Sequence, residues 1–134
     1  MPEEPTTPDL VEVVRRLVEA FNDHDDKALA SMLDAEIEFE SLTLQTYKGR
    51  AGLTEYRRNL DDAWAEWRTQ GDRFLPAGPE TVVHMHRVVG RGKGSDIPVS
   101  QHVAILWTLR AGKVVHGRAF LDPQEALKAA GLED

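Results

Sequence analysis

The chain contains no cysteine. That removes disulfides, thiolate metal ligands and cysteine nucleophiles from consideration. It also lacks a surplus of positive charge: sixteen Lys and Arg face twenty-three Asp and Glu, for a formal net charge of −7. Such a chain is a poor counterion for nucleic acid or an anionic bilayer, so neither is expected as a partner. Basic residues still gather locally, at Arg57 and Arg58 and around Arg87, Arg91 and Lys93. No apolar run approaches the roughly 20 residues of a membrane-spanning helix. The opening MPEEPTTP has neither a basic stretch nor an apolar core, and reads as a disordered leader over residues 1–8 rather than a signal peptide. The expected setting is the cytoplasm. Tight metal-ligand spacings such as H-E-x-x-H are missing. The Gly90–Gly94 run lacks the Lys-Ser/Thr ending and the strand–loop–helix context of a phosphate loop. No metal and no cofactor is expected.

What is present is clear patterning. Thr7-Pro8-Asp9 fits a cap with proline at the first helical position. Leu10, Val14, Leu17, Val18 and Phe21 then form one apolar stripe at helical spacing. Asp25 or Asp26 suits the cap of a short second helix carrying Leu29, Met32 and Leu33. Ile37 and Phe39 alternate with Glu38 and Glu40, as on a strand with one buried face. Extended chain is expected from Leu42 to Tyr47. A third helix is expected from about Leu53 to Glu66, with Tyr56, Trp64 and Trp67 in its apolar stripe. After Gly71 the period becomes strand-like. Strands are expected at Phe74–Leu75, Val82–Val89, Val99–Leu109 and Val114–Leu121, with a tight turn at Ala111-Gly112. Asp122-Pro123-Gln124-Glu125 starts a closing helix, Gln124–Ala130, that Gly131 ends. Helices first and a strand meander last describe a single α+β domain over residues 9–132, one sheet face packed on the helices.

Four segments together resemble the SnoaL-like branch of the NTF2-like family: VVRRLVEAFNDHDDKALASMLDAEIEFES, YKGRAGLTEYRRNL, VVGRGKGSDIPV and LWTLRAGKVVHGRAFLDPQEALKAAGL. They cover nearly all of the chain after the leader. The resemblance implies a cone, a curved antiparallel sheet closed on the N-terminal helices around an apolar pocket. It also implies a homodimer and a small apolar molecule as ligand. Members of the family isomerise steroids, cyclise polyketides, hydrolyse epoxides, hydroxylate, or only bind, so the fold alone does not select a reaction.

In aldol-cyclase members an aspartate near the end of the last long strand is the acid/base, and Asp122 falls at a similar place. A competing reading makes it an ordinary helix cap. Histidine suits proton transfer near neutral pH. His84 and His86 share a strand face, His102 lies on the next strand and His116 on the last. The catalytic candidates are therefore Asp122, His86 and His102. Tyr56, Trp64, Trp67, Trp107 and Phe120 are candidate ligand-binding walls, and Arg118 a candidate partner for a ligand carboxylate or for a neighbouring acid. Paired Glu38 and Glu40 read as solvent-facing. An Arg-x-Asp pair on an inner strand, as in the epoxide hydrolases of this fold, does not occur, nor does a convincing tyrosine–aspartic acid oxyanion pair. Three functions stay open: a proton-transfer enzyme (isomerase, cyclase or hydrolase), a non-catalytic binder, and an accessory homodimer whose cavity is filled by its own side chains.

Overall fold

The computed structural model describes residues 9–42 and 44–132. The leader expected over 1–8 lies outside the described residues, as do Thr7 and Pro8 of the expected first cap and Thr43. Four helices and six strands follow in the order α1 (Leu10–Asn22), α2 (Asp26–Ser31), β1 (Leu33–Glu40), β2 (Thr46–Lys48), α3 (Gly49–Ala63), β3 (Trp64–Pro76), β4 (Thr81–Gly92), β5 (Pro98–Arg110), β6 (Lys113–Phe120) and α4 (Pro123–Ala129). The strands form one sheet in the order β2-β1-β6-β5-β4-β3. The sheet is mixed rather than wholly antiparallel, because β1 runs parallel to β6. The crossover from β1 to β6 carries α3 and the whole meander, long enough for a parallel connection.

Local chemistry explains most boundaries. Asp9 caps α1 by accepting from the Val11 amide at 3.1 Å, and Asp25 caps α2 by accepting from Ala28 at 3.1 Å. The predicted apolar stripe of α1 is the buried one, with Val14, Leu17 and Val18 in the core. Ile37 and Phe39 are fully buried while Glu38 is exposed. Ala111 and Gly112 both adopt positive φ (54° and 77°), the conformation that a two-residue hairpin turn demands.

The expected third helix starts four residues late and overruns the observed C-terminal end by three. Trp64 and Trp67 are on β3, because Trp64 turns the backbone extended (φ −117°, ψ 138°) and the chain pairs with β4. Gly90 permits this pairing: a Cβ there would lie 2.5 Å from the Glu66 carbonyl oxygen and 3.1 Å from Trp67 Cα. The Gly90–Gly94 run is accordingly the end of β4 and its turn.

Two cores result. The larger joins α1, α2 and α3 to one sheet face through Val14, Leu17, Leu29, Leu33, Phe39, Leu53 and Trp107. The smaller lies on the opposite face, where α4 seats Ala126 against Val83 and Ala104. Arg57, 6% exposed, ties the helices together. Its Nε and Nη2 donate to Asp26 at 2.6 and 2.9 Å, and Nη1 donates to Asp61. Asp61 also accepts from Trp67 Nε1 at 2.8 Å, which anchors the start of β3 to α3. Among the described residues no helix is long and apolar enough to cross a membrane.

Candidate active site in an apolar cavity

Between the helices and the inner sheet face lies a cavity of about 460 Å³. Its walls are strongly apolar: Leu17, Phe21, Phe39, Leu53, Ile105 and Trp107 form much of the surface. The predicted wall residues Tyr56, Trp64, Trp67 and Trp107 all line it, as does His86. Exposed Val99, Gln101 and Leu121 lie at its rim.

The sheet decides which polar groups reach this space. Even-numbered residues of β4 face inward, so His84 and His86 are both there, 1% and 6% exposed. Their rings stack at 4.1 Å, and Phe74 stacks on the other face of His84 at 4.8 Å. Strand β3 contributes a carboxylate by means of a bulge. The pairing register shifts between Gln70 and Arg73, with Gly71 at φ +67°. A bulge reverses the in–out alternation. Trp67 and Thr69 face inward before it, and Phe74 and Asp72 face inward after it.

Asp72 Oδ1 lies 2.7 Å from His84 Nε2. This hydrogen bond, more than the opposing effect of burial, holds the Asp72 carboxyl below the usual carboxylate range. An ionised carboxylate only accepts, so His84 Nε2 carries a proton, and in the neutral ring Nδ1 is the atom that keeps the lone pair. That Nδ1, His86 Nδ1 and Trp107 Nε1 are covered and have no hydrogen-bond partner among the described residues. Burial and then the neighbouring His84 push the His86 imidazole down to about 3, so it is neutral at physiological pH.

Opposite the sheet, Tyr56 packs against Phe21, Phe39 and Tyr47, at centroid distances of 5.9, 4.8 and 5.2 Å. Burial, with a smaller contribution from Tyr47, raises its phenol to about 12. It therefore stays a protonated donor. Tyr47 by contrast is tied up locally: its hydroxyl donates to Gln45 at 3.1 Å and accepts from Asn59 at 3.2 Å.

Asp72, His84 and His86 also offer one ligand atom each within 4.8 Å of one another, a donor set that suits a divalent transition metal. In this arrangement Asp72 and His84 spend their facing atoms on each other.

Several sequence candidates lie elsewhere. Asp122 does not line the cavity. It is exposed and caps α4, accepting from the Gln124 amide at 2.9 Å, so the capping reading prevails. His102 is exposed on β5, whose even-numbered residues face away from the cavity. Arg118 and Phe120 share the outward face of β6, where Arg118 pairs with Glu40 at 3.6 Å and stacks over Phe120 at 4.7 Å. Conversely, sequence reading missed Asp72. The signal is Gly71, which inside a strand marks a bulge but in the sequence stands where the period becomes strand-like.

Residues 14–117 match the SnoaL-like domain family, so the chain belongs to that family. No curated protein matches it. Among solved structures, a proposed polyketide cyclase from Xanthomonas campestris superposes with a TM-score of 0.76 at 15% identity, covering 90% of this chain and 96% of the other. A protein of ketosteroid isomerase-like fold from Catenulispora acidiphila, solved with trimethylamine, gives 0.75 at 19% identity and 96% coverage of both chains. An NTF2-like protein from Burkholderia xenovorans gives 0.74 at 22% identity, covering 93% and 98%. At these identities the likeness establishes the α+β fold alone.

Proposed function

We propose that the protein binds a small, largely apolar molecule bearing a carbonyl or hydroxyl group in this cavity and transfers a proton on it, as a cyclase or isomerase does. The pairing of His84 in the cavity wall with Asp72, an exposed residue behind it, is the observation that carries this reading. Asp72 fixes the His84 tautomer and stabilises the imidazolium that forms when Nδ1 takes a proton. Tyr56 supplies a hydroxyl donor for a developing oxyanion in surroundings of low polarity. Neutral His86 and Trp107 Nε1 offer further polar contacts on the same wall. Because His84 Nδ1 is covered, a ligand reaches it only when the atoms around it shift. That covered nitrogen also favours a second reading, a carrier that holds the same ligand without turning it over. Homodimeric assembly and a cytoplasmic setting, both implied by the family, complete the proposal.

A panel of apolar ketones in D2O, with chelator present, separates the two readings. Catalysis predicts deuterium entering the carbon next to the carbonyl. H84Q and D72N are expected to abolish exchange while ligand quenching of tryptophan fluorescence stays within about threefold. Saturable binding with exchange no faster than in H84Q would leave only the carrier.

A further inference from the structure

The outward face of the sheet holds a second concavity, of about 240 Å³, lined by Gln70, Arg73, Met85, Arg87, His102 and Pro123 among others. The register explains its composition. Gln70, Arg87 and His102 are directly opposite one another on β3, β4 and β5, and Arg73 is opposite Met85 on the next row. Arg73 and Arg87 are therefore diagonal neighbours on one face, about 7 Å apart at the backbone. The β3 bulge that sends Asp72 inward is what sends Arg73 outward.

Charge balance separates Arg73 and Arg87, together with Arg68 of β3, from the other arginines of the sheet. The chain has an acidic excess, and Arg91, Arg110 and Arg118 of the same sheet each have a carboxylate partner. Arg73 and Arg87 have none among the described residues, and no Asp or Glu lines the cleft. Two unneutralised guanidinium groups held side by side repel each other. An oxyanion relieves that repulsion through paired N–H donors, a geometry arginine offers and lysine does not. Gln70 and His102 add donors at the sides, and Met85 provides an apolar floor.

We propose that Arg73, Arg87, Gln70 and His102 form a binding site for a small oxyanion of the phosphate class, on the sheet face opposite the cavity. None of the four residues lines the proton-transfer cavity, which shares only His86 and Val103 with this cleft, so the proposal does not rest on that reading.

The test follows arginine Nε–H NMR signals of the full chain while inorganic phosphate, then phenyl phosphate, is added at constant ionic strength. Saturable shifts of the Arg73 and Arg87 signals are expected. R73Q and R87Q should each weaken binding by about tenfold or more, the loss of one charge-assisted contact. R58Q, at an exposed arginine on α3, should leave affinity unchanged. All three positions are exposed, and matched thermal melts verify that the variants fold. Tighter binding of phenyl phosphate identifies a phosphomonoester, whereas tighter binding of phosphate identifies the free ion. Linear, non-saturating shifts, or an equal loss in R58Q, would overturn the proposal by reducing it to diffuse surface attraction.

Discussion

Gly117→Ala probes the cavity wall with a single methyl group. On β6, Gly117 is directly opposite Trp107, and the indole lies flat over the space where a side chain would be. A Cβ at 117 would come within 2.4 Å of Trp107 Cζ3, 2.7 Å of Cε3 and 2.8 Å of Phe39 Cδ1. Carbon atoms pack comfortably at about 3.5–4.0 Å, so the indole must retreat by roughly 1 Å. It has few directions available: Trp107 is 5% exposed and stacks on Phe39 at 5.6 Å. The open direction is the cavity. Overpacking of this kind costs about 1–3 kcal/mol. For a domain of this size that lowers Tm by at least about 3 °C. Urea and thermal unfolding measure the cost, and titration with an apolar fluorescent ligand measures the shrinking cavity. Unchanged Tm together with unchanged ligand affinity would refute the packing of Trp107 against Gly117.

Three further outcomes follow from the same geometry. Arg57→Ala leaves Asp26 without its cation and Asp61 with His24 and Trp67, and should lose about 2–4 kcal/mol by urea denaturation; these carboxylates are only partly covered, which holds the loss below the deepest buried cases. His86 is depressed to about 3 in the fold and returns toward 6.5 when unfolded. The unfolded chain therefore binds the extra proton, and stability falls as pH drops from about 6.5 toward 3, with a flatter profile expected in H86Q. Asp72, also depressed, adds stability that is present above its unfolded value and lost as pH falls through its folded one; D72N should remove that acid limb. Tyr56→Phe should leave Tm within about 1 °C, since its hydroxyl has no hydrogen-bond partner among the described residues, yet weaken an oxygen-bearing ligand by about tenfold.

Much of the architecture was legible in the residues. The α1 stripe, the Asp25 cap, the Ala111-Gly112 turn and the Asp122-Pro123 helix start are local signals, and each element formed where its chemistry indicated. The boundary between α3 and β3 was not legible. Trp64 and Trp67 are three apart and fit a helical stripe, but pairing with glycines distant in sequence made them strand. The site was readable only in part. Tyr56, Trp107 and His86 announced themselves by residue type, while the phase of the His86 strand is ambiguous because neither of its faces is cleanly apolar. His102, Arg118 and Phe120 were of suitable type but opposite phase, which the alternation of a strand inverts with each residue. Asp72 required knowing that the strand bulges, and the bulge shows itself only against its partner strand.

Proton transfer in the cavity needs His84 held by Asp72 with a bare Nδ1. Long-range ¹H–¹⁵N NMR of the imidazole rings at neutral pH reads this without any ligand. The geometry predicts one fixed tautomer for His84, with Nε2 protonated and strongly hydrogen-bonded, and collapse of that signature in D72N. A proton on Nδ1, or the averaged signals of a freely exchanging ring, would contradict it.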